Sequence, residues 1–238
     1  MRAWTVFQLK EADVRISSPM SDLVVAEVRR LRSVLEAYIE RQPAFKAALV
    51  PIDLLAGAPP VAAAMAEAAR ACGVGPMAAV AGAVAQAAAE AALAAGAGEA
   101  IVENGGDTWI ASPREVTVGL YAGEHPMSGR LALRISPDRL PLSVCSSSGR
   151  FGHSLSFGRC DLATVVAGSG ALADAAATLA ANSVRTVDDV EPTLERVMAI
   201  PGIEGVLIVQ DDRVGVAGDL PRLVQCADPD FALKTRHR

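Results

Sequence analysis

Asp174 and Thr178 are separated by three alanines, so on a helix they lie one turn apart on a single face. A carboxylate and a hydroxyl in that relation offer two hard oxygen donors to a cation such as magnesium. That ion takes few protein ligands and completes its shell with water and phosphate oxygens. The same aspartate would also suit a plain helix end, where a carboxylate answers the helix dipole. A second candidate is Asn104-Gly105-Gly106-Asp107. Paired glycines let a backbone approach a ligand and expose N–H donors, but an Asn-Gly turn between two strands needs no ligand. The third is Cys145, followed by Ser146, Ser147, Ser148 and Gly149. Consecutive hydroxyls beside a glycine suit an anion, and the thiol is reactive where its surroundings favour thiolate. A buried cysteine is otherwise inert packing.

Two further motifs imitate known sites. Gly152-His153-Ser154-Leu155-Ser156 falls one residue short of the GxSxG nucleophile elbow, with Ser156 where the tight turn needs glycine. Only His237 follows the serine in the chain, so the order of a serine hydrolase is not met. Gly73-Val74-Gly75-Pro76-Met77-Ala78 satisfies GxGxxA, but a helical pattern precedes it where a dinucleotide fold requires a strand. Gly75 still opens a helix whose first N–H groups can meet a phosphate, or else forms a tight helix–helix turn.

The elements that must position these residues can be read from periodicity. Trp4–Leu9 and Val14–Ser17 are predicted strands around a Lys10-Glu11 turn. Ser21-Asp22 offers an N-cap for a helix to about Gln42, with Val24, Val28, Leu31, Leu35 and Ile39 at helical spacing. Helices are predicted over Val61–Cys72, stopped by Gly73, and over Pro76–Ala95, with proline in the first turn. Strand-like runs follow at Ala100–Glu103, Thr108–Ala111, Glu115–Tyr121 and Arg130–Ile135, then a loop-prone Cys145–Gly158. A strand at Leu162–Ala167 leads through Gly168–Gly170 into an alanine-rich helix ending near Asn182. A helix at Val187–Ile200 and a strand at Gly205–Gln210 close the pattern, and the tail from Asp228 is polar.

Composition bounds the rest. The chain has 238 residues, 51% of them hydrophobic and many of those alanine, which predicts close-packed helices with few aromatic anchors. No repeat and no linker divides it, so a single domain over 1–238 is expected. A net charge of −5 and the lack of a basic cluster interleaved with aromatics give no support for nucleic-acid binding, and no nucleic-acid partner is expected. Four cysteines without CxxC spacing and three histidines at no zinc interval predict reduced thiols. The first residues carry no apolar signal region, and a cytoplasmic protein is expected. Ala71–Ala89 is uncharged over nearly a membrane-spanning length, yet Gly73, Gly75, Pro76 and Gln86 mark it as a loop and a buried helix rather than a span.

Taken in order, Gly75-Pro-Met-Ala-Ala-Val-Ala-Gly-Ala83, Glu103-Asn-Gly-Gly-Asp107, Ser147–Gly158, Ala173–Thr178 and Asn182 resemble an uncharacterised ApbE-like protein family. That family is similar to the FAD:protein FMN transferases. The resemblance implies an α+β fold of the tunnelling-fold type, with antiparallel sheets packed against alanine-rich helices. It implies magnesium held by Asp174 and Thr178, and FAD or another phosphorylated ligand near Asn104, Gly105, Gly106, Asp107, Ser147, Ser148, Gly149 and Gly75. Cys145, His153 and Ser154 are the catalytic candidates.

The chain departs from the transferases in two places. His153-Ser154-Leu155-Ser156-Phe157-Gly158 stands where they carry Asp-Pro-Arg-Thr-Gly after a His-Ile pair, and Pro76-Met77 stands where a Lys-Gly pair is expected. Two functions of different class follow. One is a magnesium-dependent enzyme that binds a flavin nucleotide and transfers FMN or a related group to an acceptor protein. The other is a non-catalytic or sulfur-handling accessory protein in sulfide assimilation and homocysteine formation, with a ferredoxin-like partner. Some relatives of the family are associated with that pathway.

Overall fold

The computed structural model describes residues 2–10, 12–123, 125, 128–149 and 158–226. The chain opens with a hairpin, β1 (Thr5–Leu9) and β2 (Ala12–Ser17), followed by the long helix α1 (Ser21–Arg41). A short helix α2 (Ala44–Ala47) leads to α3 (Pro60–Cys72), and a 3₁₀ turn at Pro76–Ala79 leads to α4 (Val80–Ala94). Four strands come next: β3 (Ala100–Asn104), β4 (Asp107–Ala111), β5 (Val116–Leu120) and β6 (Leu131–Ile135). They are followed by β7 (Leu142–Ser147), β8 (Leu162–Ala167), α5 (Gly170–Ser183) and α6 (Val190–Met198). The last described elements are β9 (Ile203–Gln210), β10 (Arg213–Gly218) and β11 (Arg222–Gln225).

Eight strands form one sheet in the order β1-β2-β3-β4-β7-β8-β9-β10, and β11-β6-β5 form a second. Every pairing is antiparallel. Because successive side chains alternate between faces, the large sheet contributes to two cores. One face, carrying Val14, Val102, Trp109, Cys145, Val165 and Ile208, packs against the helices. The other, carrying Ile101, Ile110, Val144, Leu162 and Leu207, packs against Leu120, Leu133 and Ile135 of the small sheet. The architecture is the expected α+β class.

The helical layer is built largely on alanine. In α5 the buried residues include Ala171, Ala173, Ala175, Ala176, Ala177, Ala180 and Ala181, and α4 buries Ala83, Ala85, Ala88, Ala89 and Ala92. Short side chains bring helix axes close, which is how α4 packs at once on α1, α5, β3 and β4. The stretch Pro76–Ala94, through α4, meets the length and hydropathy of a membrane span, and in the fold it packs on α1, α5, β3 and β4.

Several boundaries differ from expectation. Ser21 is the first residue of α1 rather than its cap; Met20 occupies that place, and Ser18 Oγ accepts from the Met20 amide at 3.1 Å. The segment read as a loop from Cys145 begins inside β7, whose Cys145–Ser147 stretch is paired with Val165–Ala163 of β8. Burial between two neighbouring strands overrides the turn-favouring Ser-Gly composition there. Strands β10 and β11 were not anticipated.

Candidate functional site

The β3–β4 hairpin closes on Gly105 and Gly106, with Asn104 paired to Asp107 across a two-residue loop. Both glycines have positive φ, 67° and 111°, which the turn requires and glycine supplies without strain. The turn is stapled to β2 by the Gly105 amide, which donates to Asp13 O at 3.1 Å. Its two flanking side chains point to the helical face of the sheet. Asn104 Nδ2 donates to Ala81 O of α4 at 3.3 Å, and Asp107 lies buried beside β7.

Strand β7 runs next to β4 with Val144 opposite Thr108, which places Cys145 beside Asp107 one step further along. The Cys145 thiol and the Ser146 amide both support the Asp107 carboxylate. Ser147, two residues on and therefore on the same face as Cys145, buries a hydroxyl with no hydrogen-bond partner among the described residues. Asp107 Oδ1 is buried and unpartnered in the same way.

Helix α5 closes the site from above. Ser169 caps it, accepting from the Leu172 amide at 3.3 Å, and Asp174 follows on the buried side. Asp174 Oδ2 accepts from the Gly82 amide of α4 at 2.9 Å, and the Ala81 amide adds a further stabilising contact. Thr178, one turn on, is buried with it. The geometry thus brings together Asn104, Asp107, Cys145 and Asp174 from three separate stretches of chain, with Ser147 on the same strand face as Cys145 and Thr178 one turn from Asp174.

Electrostatics single out the two carboxyls. Burial pushes Asp107 up to about 7, against the weaker opposing help of Cys145 and Ser146, and the charge of Glu103 raises it further. Burial also drives Asp174 well above the usual carboxylate range; the charge of Asp107 adds to this, while the Gly82 and Ala81 amides oppose it. No basic side chain acts on either group among the described residues. Two acids are therefore held close together without a counter-charge among the described residues. The thiols are affected in turn: burial and the same carboxylates push Cys145 far up, and burial with Asp174 pushes Cys72 up to about 12.

This has a measurable consequence for the ligand-free protein. Asp107 titrates near 7 when folded and near ~3.9 when unfolded. Between those values the folded state holds a proton that the unfolded chain releases. Stability from this group is therefore greatest below about pH 4, falls as pH rises, and levels off above about 7. Asp174 acts with the same sign. In urea denaturation the wild type should lose stability between pH 5 and pH 8, on the order of a few kcal/mol, and Asp107→Asn should lose less. Equal losses in the two proteins would show that Asp107 is not buried in this way.

Other expected site residues lie elsewhere or are otherwise engaged. Gly75 begins the 3₁₀ turn, but a Cβ there would meet Ala48 O at 1.9 Å, so the protein itself fills the space a ligand would use. The Gly149 amide donates to Cys160 O at 2.8 Å, and Ser148 Oγ donates to the same carbonyl at 3.2 Å. His153 and Ser154 lie outside the described residues. Gly82 and Gln86 were not singled out as candidates. Gln86 Oε1 accepts from the Gly170 amide at 2.7 Å, and Gly82 approaches Gly170 so closely that a Cβ would lie 2.1 Å from its carbonyl oxygen. A glycine in an otherwise alanine-rich helix was the available signal.

Known proteins resemble this chain in sequence or in fold. A UPF0280 protein of Methanopyrus kandleri is 41% identical over 226 residues, spanning 91% of this chain and 90% of its own. Another from Methanothermobacter thermautotrophicus is 42% identical over 197 residues, spanning 81% and 76%. The crystal structure of the apo flavinyl transferase ApbE of Pseudomonas stutzeri superposes with a TM-score of 0.60 at 11% identity, covering 91% of this chain and 94% of that one. The ApbE protein of Thermotoga maritima gives a TM-score of 0.55 at 12% identity, covering 99% and 100%. At such identities the likeness is one of fold. The family model described as AbpE bacteria matches residues 3–201, and the chain belongs to that family.

Proposed function

We propose that the face between Asp107 and Asp174 binds a divalent cation together with a phosphorylated ligand of the flavin-nucleotide class. The observation that carries this reading is the pair of buried carboxyls with no basic partner among the described residues, beside two orphaned oxygens, Asp107 Oδ1 and Ser147 Oγ. Buried polar groups in native structures find partners, and a hard cation with its bound phosphate provides them here.

The residues fit magnesium by donor chemistry. Asp107, Asp174, Thr178 and Ser147 are all oxygen donors. Among the described residues no three His, Cys, Asp or Glu side chains are arranged to hold a metal by themselves, so water and ligand oxygens must complete the shell. The bound ion would neutralise the charge of a diphosphate. Within the chain, the Gly82 amide fixes the Asp174 carboxylate and the Asn104–Ala81 hydrogen bond fixes the hairpin against α4.

The shared fold with flavin transferases supports a reaction of the same class. A hydroxyl of an acceptor protein would displace AMP from FAD, forming the new P–O bond to FMN as the diphosphate linkage breaks. Calorimetric titration of FAD and of ADP, each with magnesium and with chelator, tests the binding step. Cation should tighten binding about 10-fold or more, since each ligand supplies part of the other's site. Equal affinities with and without cation would overturn the reading.

A further inference from the structure

We propose that Cys145 is a positioning residue, whose buried thiol ties the strand carrying Asp107 to the helix carrying Asp174 and does not itself react. This rests on the reading of that face as the ligand site. Cys145 is 0% exposed, in the middle of a sheet with β4 on one side and β8 on the other. Its sulfur lies 3.3 Å from Ser143 Oγ and 3.7 Å from Gly170 O, the first residue of α5.

The hydrogen inventory fixes the direction of these contacts. Ser143 has one hydroxyl hydrogen and donates it to Thr108 O at 2.9 Å. The single S–H must therefore be the donor, toward Ser143 Oγ, Gly170 O or the Asp107 carboxylate that it also supports. Each acceptor belongs to or holds an acid-bearing element: Ser143 is bonded to Thr108, which follows Asp107 on β4, and Gly170 lies one helical turn before Asp174.

Gly170 is itself fixed from the other side. Its amide is accepted by Gln86 Oε1 at 2.7 Å, and its carbonyl packs against Gly82, whose own amide binds Asp174. A continuous chain of contacts results, running from Asp107 through Cys145 and Gly170 to Gly82 and Asp174. Nothing in it requires the sulfur to leave its place. A thiol with no exposed surface presents neither a path for a substrate nor a solvated thiolate.

The test compares Cys145→Ala, which deletes the donor, with Cys145→Ser, which keeps one. Amide exchange at Gly170, whose N–H Gln86 holds, should accelerate about five-fold in Cys145→Ala, as loss of about one net hydrogen bond at its carbonyl loosens the residue. Magnesium-dependent ADP binding should weaken about 10-fold or more, the usual cost of losing a partner behind a metal ligand. Cys145→Ser should restore both to within about three-fold of wild type. If Cys145→Ala does not fold, Cys145→Val replaces it, filling the strand position without a hydrogen bond. In the native wild type, iodoacetamide should label Cys145 slower than in the urea-unfolded chain by on the order of 100-fold.

Labelling at the unfolded rate would overturn the proposal. So would unchanged Gly170 exchange in Cys145→Ala, or a Cys145→Ser protein as impaired as Cys145→Ala. Should the wild type show no cation-dependent nucleotide binding, the proposed function fails. Exchange at Gly170 and labelling of Cys145 still judge the clamp.

Discussion

Asp174→Asn is expected to weaken nucleotide binding in the presence of magnesium by roughly 100-fold, because a charge-assisted contact is worth about 3 kcal/mol. In chelator its affinity should equal that of the wild type. The substitution keeps the size of the side chain, and the asparagine oxygen can still accept from the Gly82 amide that now binds Asp174 Oδ2. It also removes one of two buried like charges, so the ligand-free variant should be at least as stable as wild type at pH 8. The two effects have opposite signs. A residue that merely answers a helix dipole would lose stability on neutralisation and leave the magnesium dependence untouched. Calorimetry of ADP binding, with urea denaturation of the same samples, separates the cases. Undiminished magnesium dependence in the variant would remove Asp174 from the cation site.

Much of this architecture is legible in the sequence because local signals agree with the final packing. Helix α3 ends at Cys72 because Gly73 takes the left-handed conformation at φ 71°, and the Val24, Val28, Leu31 and Leu35 repeat faces the core. The α+β class follows from such elements. What local signals lack is pairing. Cys145-Ser146-Ser147 has the composition of a loop and becomes a strand only because β4 and β8 flank it. Strand β10 carries Gly215 under Val190 and Leu194 of α6, a packing reason for glycine that no turn rule contains.

The site shows the same division. Asp174, Thr178 and the Asn104–Asp107 turn stand out by residue type, but their meeting depends on strand order. Placing β4 beside β7 brings Asp107 to Cys145, and crossing α4 over α5 brings Asp174 to the Gly82 amide. The glycine pair also carries two meanings at once. Gly105 and Gly106 satisfy a hairpin turn fully, so their presence alone does not distinguish a ligand loop from a plain turn. The buried, unpaired oxygens beyond them carry the proposed ligand site, and burial is not written in the composition.

Gly82→Ala is expected to be strongly destabilising although it adds a single methyl to a helix. In an isolated helix alanine would be favoured over glycine by about 1 kcal/mol, so helix propensity alone predicts stabilisation. Here the added Cβ would lie 2.1 Å from Gly170 O, 2.7 Å from Gly170 C and 2.9 Å from Asp174 Cβ. Two of those three atoms belong to backbone, which cannot rotate away as a side chain can, so α4 and α5 must separate. Overpacking of a tight core costs about 1–3 kcal/mol, and separation also stretches the Gly82–Asp174 and Gln86–Gly170 hydrogen bonds, each worth about 1 kcal/mol net. A net destabilisation of about 3 kcal/mol follows. Gly98→Ala is the control, since nothing lies within 4 Å of a Cβ at that position. Urea denaturation should show Gly82→Ala far below wild type and Gly98→Ala within about 0.5 kcal/mol of it. Because the Gly82 amide orients Asp174, magnesium-dependent ADP binding should fall with Gly82→Ala even where the variant is fully folded. A stable Gly82→Ala protein with undiminished binding would mean that α4 does not hold the carboxylate, and that the close crossing at Gly170 is not what sets the site.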